Sequence, residues 1–295
     1  MSDHLPPDGQ AAGSTGPRPP GPRARPGAPT VFFLADYGLA DEFVGVVHAV
    51  LRRIGPTLGV VDLTHGIAPF DVRGGAEALR RALPHLGPGV VLAVVDPGVG
   101  GDRRGVAVRS GGGRWFVGPD NGLLLPAIAE DGGAAHAVSL AKPPEVPATF
   151  DGRDVFAPAA ASLALGRDPV ALGAALTPGT LVALRAPLVE RSVDGGRSRL
   201  RAEVVWCDHF GNLQLAVAGP DGPPLVAPPE GPQDIEVHVG GRSVSARRVA
   251  TFSSLGGGEL GVIVDSTGRL ALVVYEGSAA AATGAGPGSV VELAW

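Results

Sequence analysis

The sequence predicts two units: an α/β N-terminal unit with a mainly parallel sheet, then an antiparallel β sandwich or barrel. Three observations carry this. Between Thr30 and Val95, apolar runs alternate with segments of helical periodicity, the pattern of strand–helix–strand crossovers. Beyond about Val182 the helical periodicity stops, and short apolar runs separated by turn residues replace it. Hydrophobic residues make up 44% of the 295 positions, enough for a sizeable core, and no run approaches membrane-spanning length.

The elements follow in order. Residues 1–29 are mostly Pro, Gly, Ala and Arg with no periodicity and no apolar h-region. They predict a disordered tail, not a secretory signal, on a cytoplasmic protein. Thr30–Ala35 is an apolar run that ends in Asp36-Tyr37-Gly38, a strand entering a loop. From Asp41 to Ile54, Phe43, Val46, Val47, Val50, Leu51 and Ile54 recur at helical spacing, with Asp41 as N-cap and Gly55-Pro56 as stop. Gly59–Leu63 is the second strand, Val72–Leu83 the second helix and Val90–Val95 the third strand. Gly105–Val108, Trp115–Val117 and His136–Leu140 are shorter strands, with a short helix over Leu123–Ala129. A proline-rich link, Lys142–Pro147, leads to a helix over Val155–Leu165. The β unit has runs at 200–205, 213–217, 235–239, 243–249, 260–264, 270–274 and 290–293. The boundary falls in Pro178–Gly196, giving an α/β unit at 30–180 and a β unit at 196–295.

Composition excludes several functions. The net charge is −5, with no basic stripe and few aromatics, so nucleic acid is not an expected partner. The single cysteine, Cys207, rules out an internal disulfide framework and reads as a buried thiol. There is no His-x-Glu or Cys-x-x-Cys pair to indicate zinc, no phosphate-binding Walker loop and no Gly-x-Ser-x-Gly elbow.

The stretch that invites chemistry is Asp96-Pro97-Gly98-Val99-Gly100-Gly101-Asp102-Arg103-Arg104. A carboxylate and guanidinium groups close a short glycine-rich loop between two apolar runs. Open α/β sheets bind ligands at the carboxyl ends of their strands, and glycines let the backbone approach a ligand. Asp36 and Asp62 stand at similar strand ends, and position alone gives Asp36 beside Gly38 two readings, an acceptor for ribose hydroxyls or an N-cap or turn acid. Asp62 with Thr64-His65 reads as a buried, satisfied polar cluster, and His65 as a structural histidine.

Together these motifs resemble the S-adenosylmethionine hydroxide adenosyltransferase family, relatives of the fluorinases and chlorinases. The matching blocks are Ala35–Gly38, Asp62–His65, Pro69–Ala76, Asp96–Arg104, Val117–Leu124, Thr149–Pro158, Asp208–Leu213 and Asp265–Gly268, in family order. The resemblance implies an α/β N-terminal domain, a C-terminal β-barrel, and a homotrimer with active sites between neighbouring subunits. It implies attack of water or hydroxide on C5′ of S-adenosyl-L-methionine, giving adenosine and methionine, with no cofactor, metal, nucleic acid or membrane partner. The alternatives are a halide-using adenosyltransferase and a nucleoside-binding protein without catalysis. Asp96 and Arg103 match two members of the hydrolases' catalytic Asp–Arg–His set, which favours hydrolysis over halide transfer.

The third member differs: where hydrolases of the family carry histidine, this chain has Asp151. A second carboxylate beside Asp96 would raise one pKa of the pair, with Arg103 and Arg153 expected to offset it in part. Either the two acids act as a coupled base, or the site is slower or altered. Arg103 between both carboxylates would let Asp96 orient the water while Asp151 holds Arg103. As binding residues the resemblance carries over Asp36 for the ribose, Phe70 and Phe150 around ribose and sulfonium, and Thr149 as a further substrate-binding residue. Asp41 and Ser266 would meet the methionine end. Phe210, Asn212 and Phe252 would hold adenine, and Asp208, Val274 and Glu276 are carried over as further substrate-binding residues.

Overall fold

The computed structural model describes residues 29–142, 145, 147, 149–218 and 234–295. Residues 1–28, where the sequence predicts a disordered tail, lie outside the described residues. The N-terminal sheet is built from β1 (Thr30–Ala35), β2 (Gly59–Thr64), β3 (Val90–Val94), β4 (Gly105–Ser110), β5 (Trp115–Pro119), β6 (Ala134–Leu140) and β7 (Gly173–Leu176). Their order is β2-β1-β3-β5-β4-β6-β7. The β2, β1, β3 and β5 strands are parallel, and β4, β6 and β7 extend the sheet antiparallel.

Both faces of this sheet are covered, which is why its strands read as unbroken apolar runs. Val31, Phe33, Ala35, Val90, Leu92 and Val94 face one core, while Phe32, Leu34, Val91, Ala93 and Val95 face the other. The first core is roofed by α1 (Phe43–Ile54), through Val47, Val50 and Leu51, and by the later helix at 157–164. The second is roofed by α2 (Val72–Ala82) and α3 (Leu125–Glu130). Asp71 caps α2, its side chain accepting from Gly74 N at 2.8 Å. The expected cap at Asp41 is not formed. The first helix starts one residue later, behind Glu42, and no side chain caps it. The helix of residues 155–165 is instead a π-helical turn over Gly152–Phe156 running into α4 (Ala157–Ala164). Such turns recur at functional sites.

The C-terminal unit contains β8 (Val189–Asp194), β9 (Arg197–Cys207), β10 (Leu213–Ala218), β11 (Asp234–Val239), β12 (Arg242–Arg248), β13 (Leu260–Val264), β14 (Arg269–Val274), α5 (Ala279–Thr283) and β15 (Val290–Ala294). Seven strands close a barrel in the order β9-β10-β14-β13-β12-β11-β15, returning to β9. The eighth, β8, pairs with β9 outside that closure. Of the two shapes the periodicity allowed, the barrel is the one formed. Closure leaves the seven strands without the unpaired edge an open sheet must protect.

Charged side chains tie barrel to sheet. Buried Arg269 donates to Glu77 on α2 at 3.1 Å, and Arg80 bridges Glu77 and Glu130 at 3.0 and 2.7 Å. Removing one partner of a buried pair leaves an uncompensated charge, which typically costs about 3–5 kcal/mol. Glu77→Ala is therefore expected to destabilise the fold by about 3 kcal/mol, read as a lower urea midpoint. An unchanged midpoint would mean that the contact between the units contributes nothing to the measured transition.

Candidate active site

The carboxyl ends of β1 and β3 open into a cleft of about 720 Å³. Asp36 follows β1, Asp96 follows β3, and Asp151 precedes the π-helical turn; all three line it. Tyr37, Phe43 and Phe150 form one wall, with ring centroids 5.3–5.8 Å apart in edge and tilted contacts. Phe70, 70% exposed, stands on another side. Its backbone is left-handed, with φ 68°, uncommon for a bulky residue. Asp36 holds it there: Oδ2 accepts from Phe70 N at 2.9 Å. Gly152 is required beneath Tyr37, since a Cβ there would lie 2.1 Å from the phenol oxygen.

The charged floor is a chain of four groups. Arg103 Nε donates to Asp96 Oδ1 at 2.8 Å, and its Nη2 donates both to Asp96 Oδ2 and, at 2.6 Å, to Asp151 Oδ2. Lys142 Nζ donates to Asp151 Oδ1 at 2.6 Å. Arg103 thus lies between the two carboxylates, and each oxygen of Asp151 faces a cation. Arg153, expected to share that duty, pairs instead with Asp154 at 2.7 Å and lies over the Phe150 ring. Two carboxylates and two cations give the group a balanced charge. Burial lowers the Arg103 guanidinium's pKa, but the hydrogen bonds and charges of Asp96 and Asp151 outweigh this and leave it raised. The Tyr37 phenol is pushed far above its ordinary value, first by burial and then by Asp36, Asp96 and Asp151. It stays protonated.

The neighbouring Arg104 turns away from the cleft. It binds Asp120, reaches Thr180 O at 2.6 Å, and so holds the chain that leads to the barrel. Asp120 Oδ1 accepts from Val182 N at 2.8 Å in the same clasp.

The cleft takes Asp36, Phe70, Thr149 and Phe150 from the expected binding set, whereas Glu42, not Asp41, lines it. Asp208, Phe210, Asn212, Phe252, Val274 and Glu276 gather elsewhere, at one end of the barrel. The pairing of Leu213 with Leu272 puts the 208–212 loop beside Val274 and Glu276. Phe252 begins the turn that precedes β13, whose Leu260 pairs with Val274. In that loop Asp208 accepts from Phe210 N, Asn212 N and Asn212 Nδ2, each at 2.9 Å, leaving Phe210 72% exposed. Ser266 lies in the turn joining β13 and β14, at the opposite barrel end from Val274. None of these barrel residues lines the Asp96 cleft within one chain.

Three contributors were not in the expected site set. Tyr37 stood inside a matching block and was readable there, while Phe43 was read only as helix core. Lys142 was hidden in the proline-rich link, where no local pattern marks a partner for Asp151. Asp62 also departs from expectation. Its carboxylate is 41% exposed, with His48 Nε2 at 2.8 Å and His65 Nε2 at 3.0 Å from Oδ1.

Fold and site define an α/β-plus-barrel protein whose strand ends present paired carboxylates, a bridging arginine and an aromatic wall to one cleft. Residues 31–173 match the SAM hydroxide adenosyltransferase N-terminal domain and residues 202–292 the C-terminal domain. The chain belongs to the SAM hydroxide adenosyltransferase family. It is 48% identical over 264 residues to a Salinispora tropica protein named (R)-S-adenosyl-L-methionine hydrolase, covering 88% of this chain and 95% of that one. A protein of the same name from Thermus thermophilus is 43% identical, covering 89% and 98%. A fluorinase from an Actinoplanes species is more distant, at 33% identity over 63% of this chain and 71% of its own length. Among solved structures, an uncharacterized conserved protein from Thermotoga maritima superposes with TM-score 0.78 at 32% identity, covering 89% of this chain and 99% of that one. No helix among the described residues is long and apolar enough to cross a membrane.

Proposed function

We propose that this protein hydrolyses S-adenosyl-L-methionine at C5′, giving adenosine and L-methionine. The observation that carries the reading is Asp96 held by Arg103 on the floor of an aromatic cleft, in a chain closely related to proteins named for this hydrolysis. In the reaction, water oxygen bonds to C5′ as the C5′–S bond breaks, and that bond's electron pair leaves with sulfur. The sulfonium departs as a neutral thioether and needs no acid. The difficulty is the nucleophile, since bulk water has a pKa near about 15.7. Asp96 orients the water and takes its proton. Arg103 keeps that carboxylate pointed inward, and Asp151 with Lys142 keeps Arg103 in place.

The remaining groups hold the substrate. Asp36 has one oxygen committed to Phe70 N and offers the other to the ribose hydroxyls. Phe70 and Phe150 flank the ribose and sulfonium, where aromatic faces attract the cation. In this reading the adenine-side residues come from the barrel of a neighbouring copy, so the working unit is a homotrimer. Asn212, with its amide nitrogen engaged by Asp208, presents an oxygen acceptor to adenine. No cofactor enters, because the substrate carries its own leaving group.

The test is incubation with S-adenosyl-L-methionine, with and without chloride or fluoride, and identification of the nucleoside formed. Adenosine with equimolar methionine in every condition is expected. A 5′-halo-nucleoside, or binding without turnover, would overturn the reading. Asp36→Ala is expected to raise KM far more than it lowers kcat, and a purely catalytic loss would reassign Asp36. Light scattering of active protein is expected to give the mass of three chains, and an active monomer would remove the shared-site arrangement.

A further inference from the structure

We infer that His48, Asp62 and His65 form a binding site for a divalent cation of the zinc class, separate from the cleft. His48 lies on α1, Asp62 on the sheet's edge strand β2, and His65 just beyond that strand. Their donor atoms all lie within 4.8 Å of one another. Two imidazole nitrogens approach the same carboxylate oxygen, at 2.8 and 3.0 Å. Zinc bonds to nitrogen and carboxylate oxygen are about 2.0–2.2 Å, and tetrahedral geometry then sets donors about 3.3 Å apart. The two nitrogen–oxygen spacings are close to that value, and all three donors lie within 4.8 Å of one another. Two imidazoles and a carboxylate are the donor types that suit zinc and its borderline neighbours.

A second observation points the same way. The His65 side chain is 3% exposed, its Nδ1 makes no hydrogen bond, and its Nε2 lies 3.0 Å from an Asp62 oxygen that His48 already engages. Buried polar groups are paired in the great majority of cases, and an orphan calls for an explanation such as a bound ion. A cation would be shared by Nε2, the Asp62 oxygen and His48 Nε2, in place of two imidazoles competing for one oxygen. Phe33 packs against both imidazoles, with ring centroids 6.1 Å from His48 and 4.6 Å from His65, and limits how they can turn. The partly exposed His48 and Asp62 leave a route to solvent, so a fourth position is open to water. The cation would pin α1 to the edge strand. His65 O accepts from Gly38 N at 2.8 Å, which links the pinned residue to the turn after Asp36.

The experiment uses the untagged full chain, stripped with chelator and titrated with Zn²⁺ by calorimetry and with Co²⁺ by visible spectroscopy. One equivalent per chain is expected, with the intense d–d bands of low-coordinate Co²⁺. His48→Gln and Asp62→Asn are chosen because both side chains are partly exposed, and circular dichroism checks that each variant folds. Loss of an outer-sphere partner alone weakens metal sites about 10–100-fold, so loss of a ligand should weaken binding about 100-fold or more. Absence of stoichiometric binding, or wild-type affinity in either folded variant, would overturn the proposal and leave the three residues as an ion-pair clamp.

Discussion

Asp96→Asn is expected to lower kcat by about 10²–10⁴-fold, the range of general acid–base contributions, while KM moves far less. The substitution keeps the side chain's shape but removes the proton acceptor for the attacking water. It also turns one of the two oxygens facing Arg103 into an amide nitrogen, a donor set against a donor. The substrate contacts proposed for Asp36 and the aromatic wall are untouched, so binding should survive. Single-turnover kinetics alongside calorimetric binding of adenosine separate the two quantities. A variant with wild-type turnover would show that Asp96 does not take the proton, and the mechanism would need another base.

Asp151→Asn is expected to cost about 100-fold in kcat, because small misplacements of a catalytic group have effects of that size. The reason is charge. Asp151 lies between Arg103 and Lys142 and is only 2% exposed. Two unit charges about 4 Å apart interact by roughly 4 kcal/mol at an effective dielectric near 20. Without the carboxylate, the two cations face each other across an amide, and Arg103 is free to swing away from Asp96. Adding Lys142→Met should then recover part of the loss, a coupling of about 0.5–3 kcal/mol in a double-mutant cycle. Wild-type rates in Asp151→Asn across the pH range would reduce Asp151 to a loop acid and the working set to Asp96 and Arg103.

The parallel strands were legible because burial on both faces leaves them little choice but continuous apolar runs. The edges were not. Every residue of β8, Val-Glu-Arg-Ser-Val-Asp, is exposed, so it carries no hydrophobic signal. The β7 strand, Gly-Ala-Ala-Leu, lacks the β-branched residues that mark strands, and α5 is a brief alanine run. In the site, Asp36 and Asp96 could be read from position alone, since strand ends are where such sheets place ligands. Lys142 could not, because the link that carries it has no periodicity to fix its direction, and although Asp62 and His65 were read together, His48 joins them only through the packing of α1 on β2. Arg153 shows the converse: nearness in sequence to Asp151 suggested a partnership, but the adjacent Asp154 took it.

Two consecutive arginines close the loop after β3, and they serve different masters: Arg103 the carboxylate pair of the cleft, Arg104 the passage to the barrel. Their side chains diverge from one short stretch of backbone, so neither can be repositioned alone. An insertion or deletion here would disturb the chemistry and loosen the clasp on Thr180 and Val182 in one stroke. The loop is in effect length-locked. A descendant of this chain that acquired a different nucleophile by remodelling it would first have to re-anchor its second domain, an evolutionary toll that point substitutions at Asp151 escape.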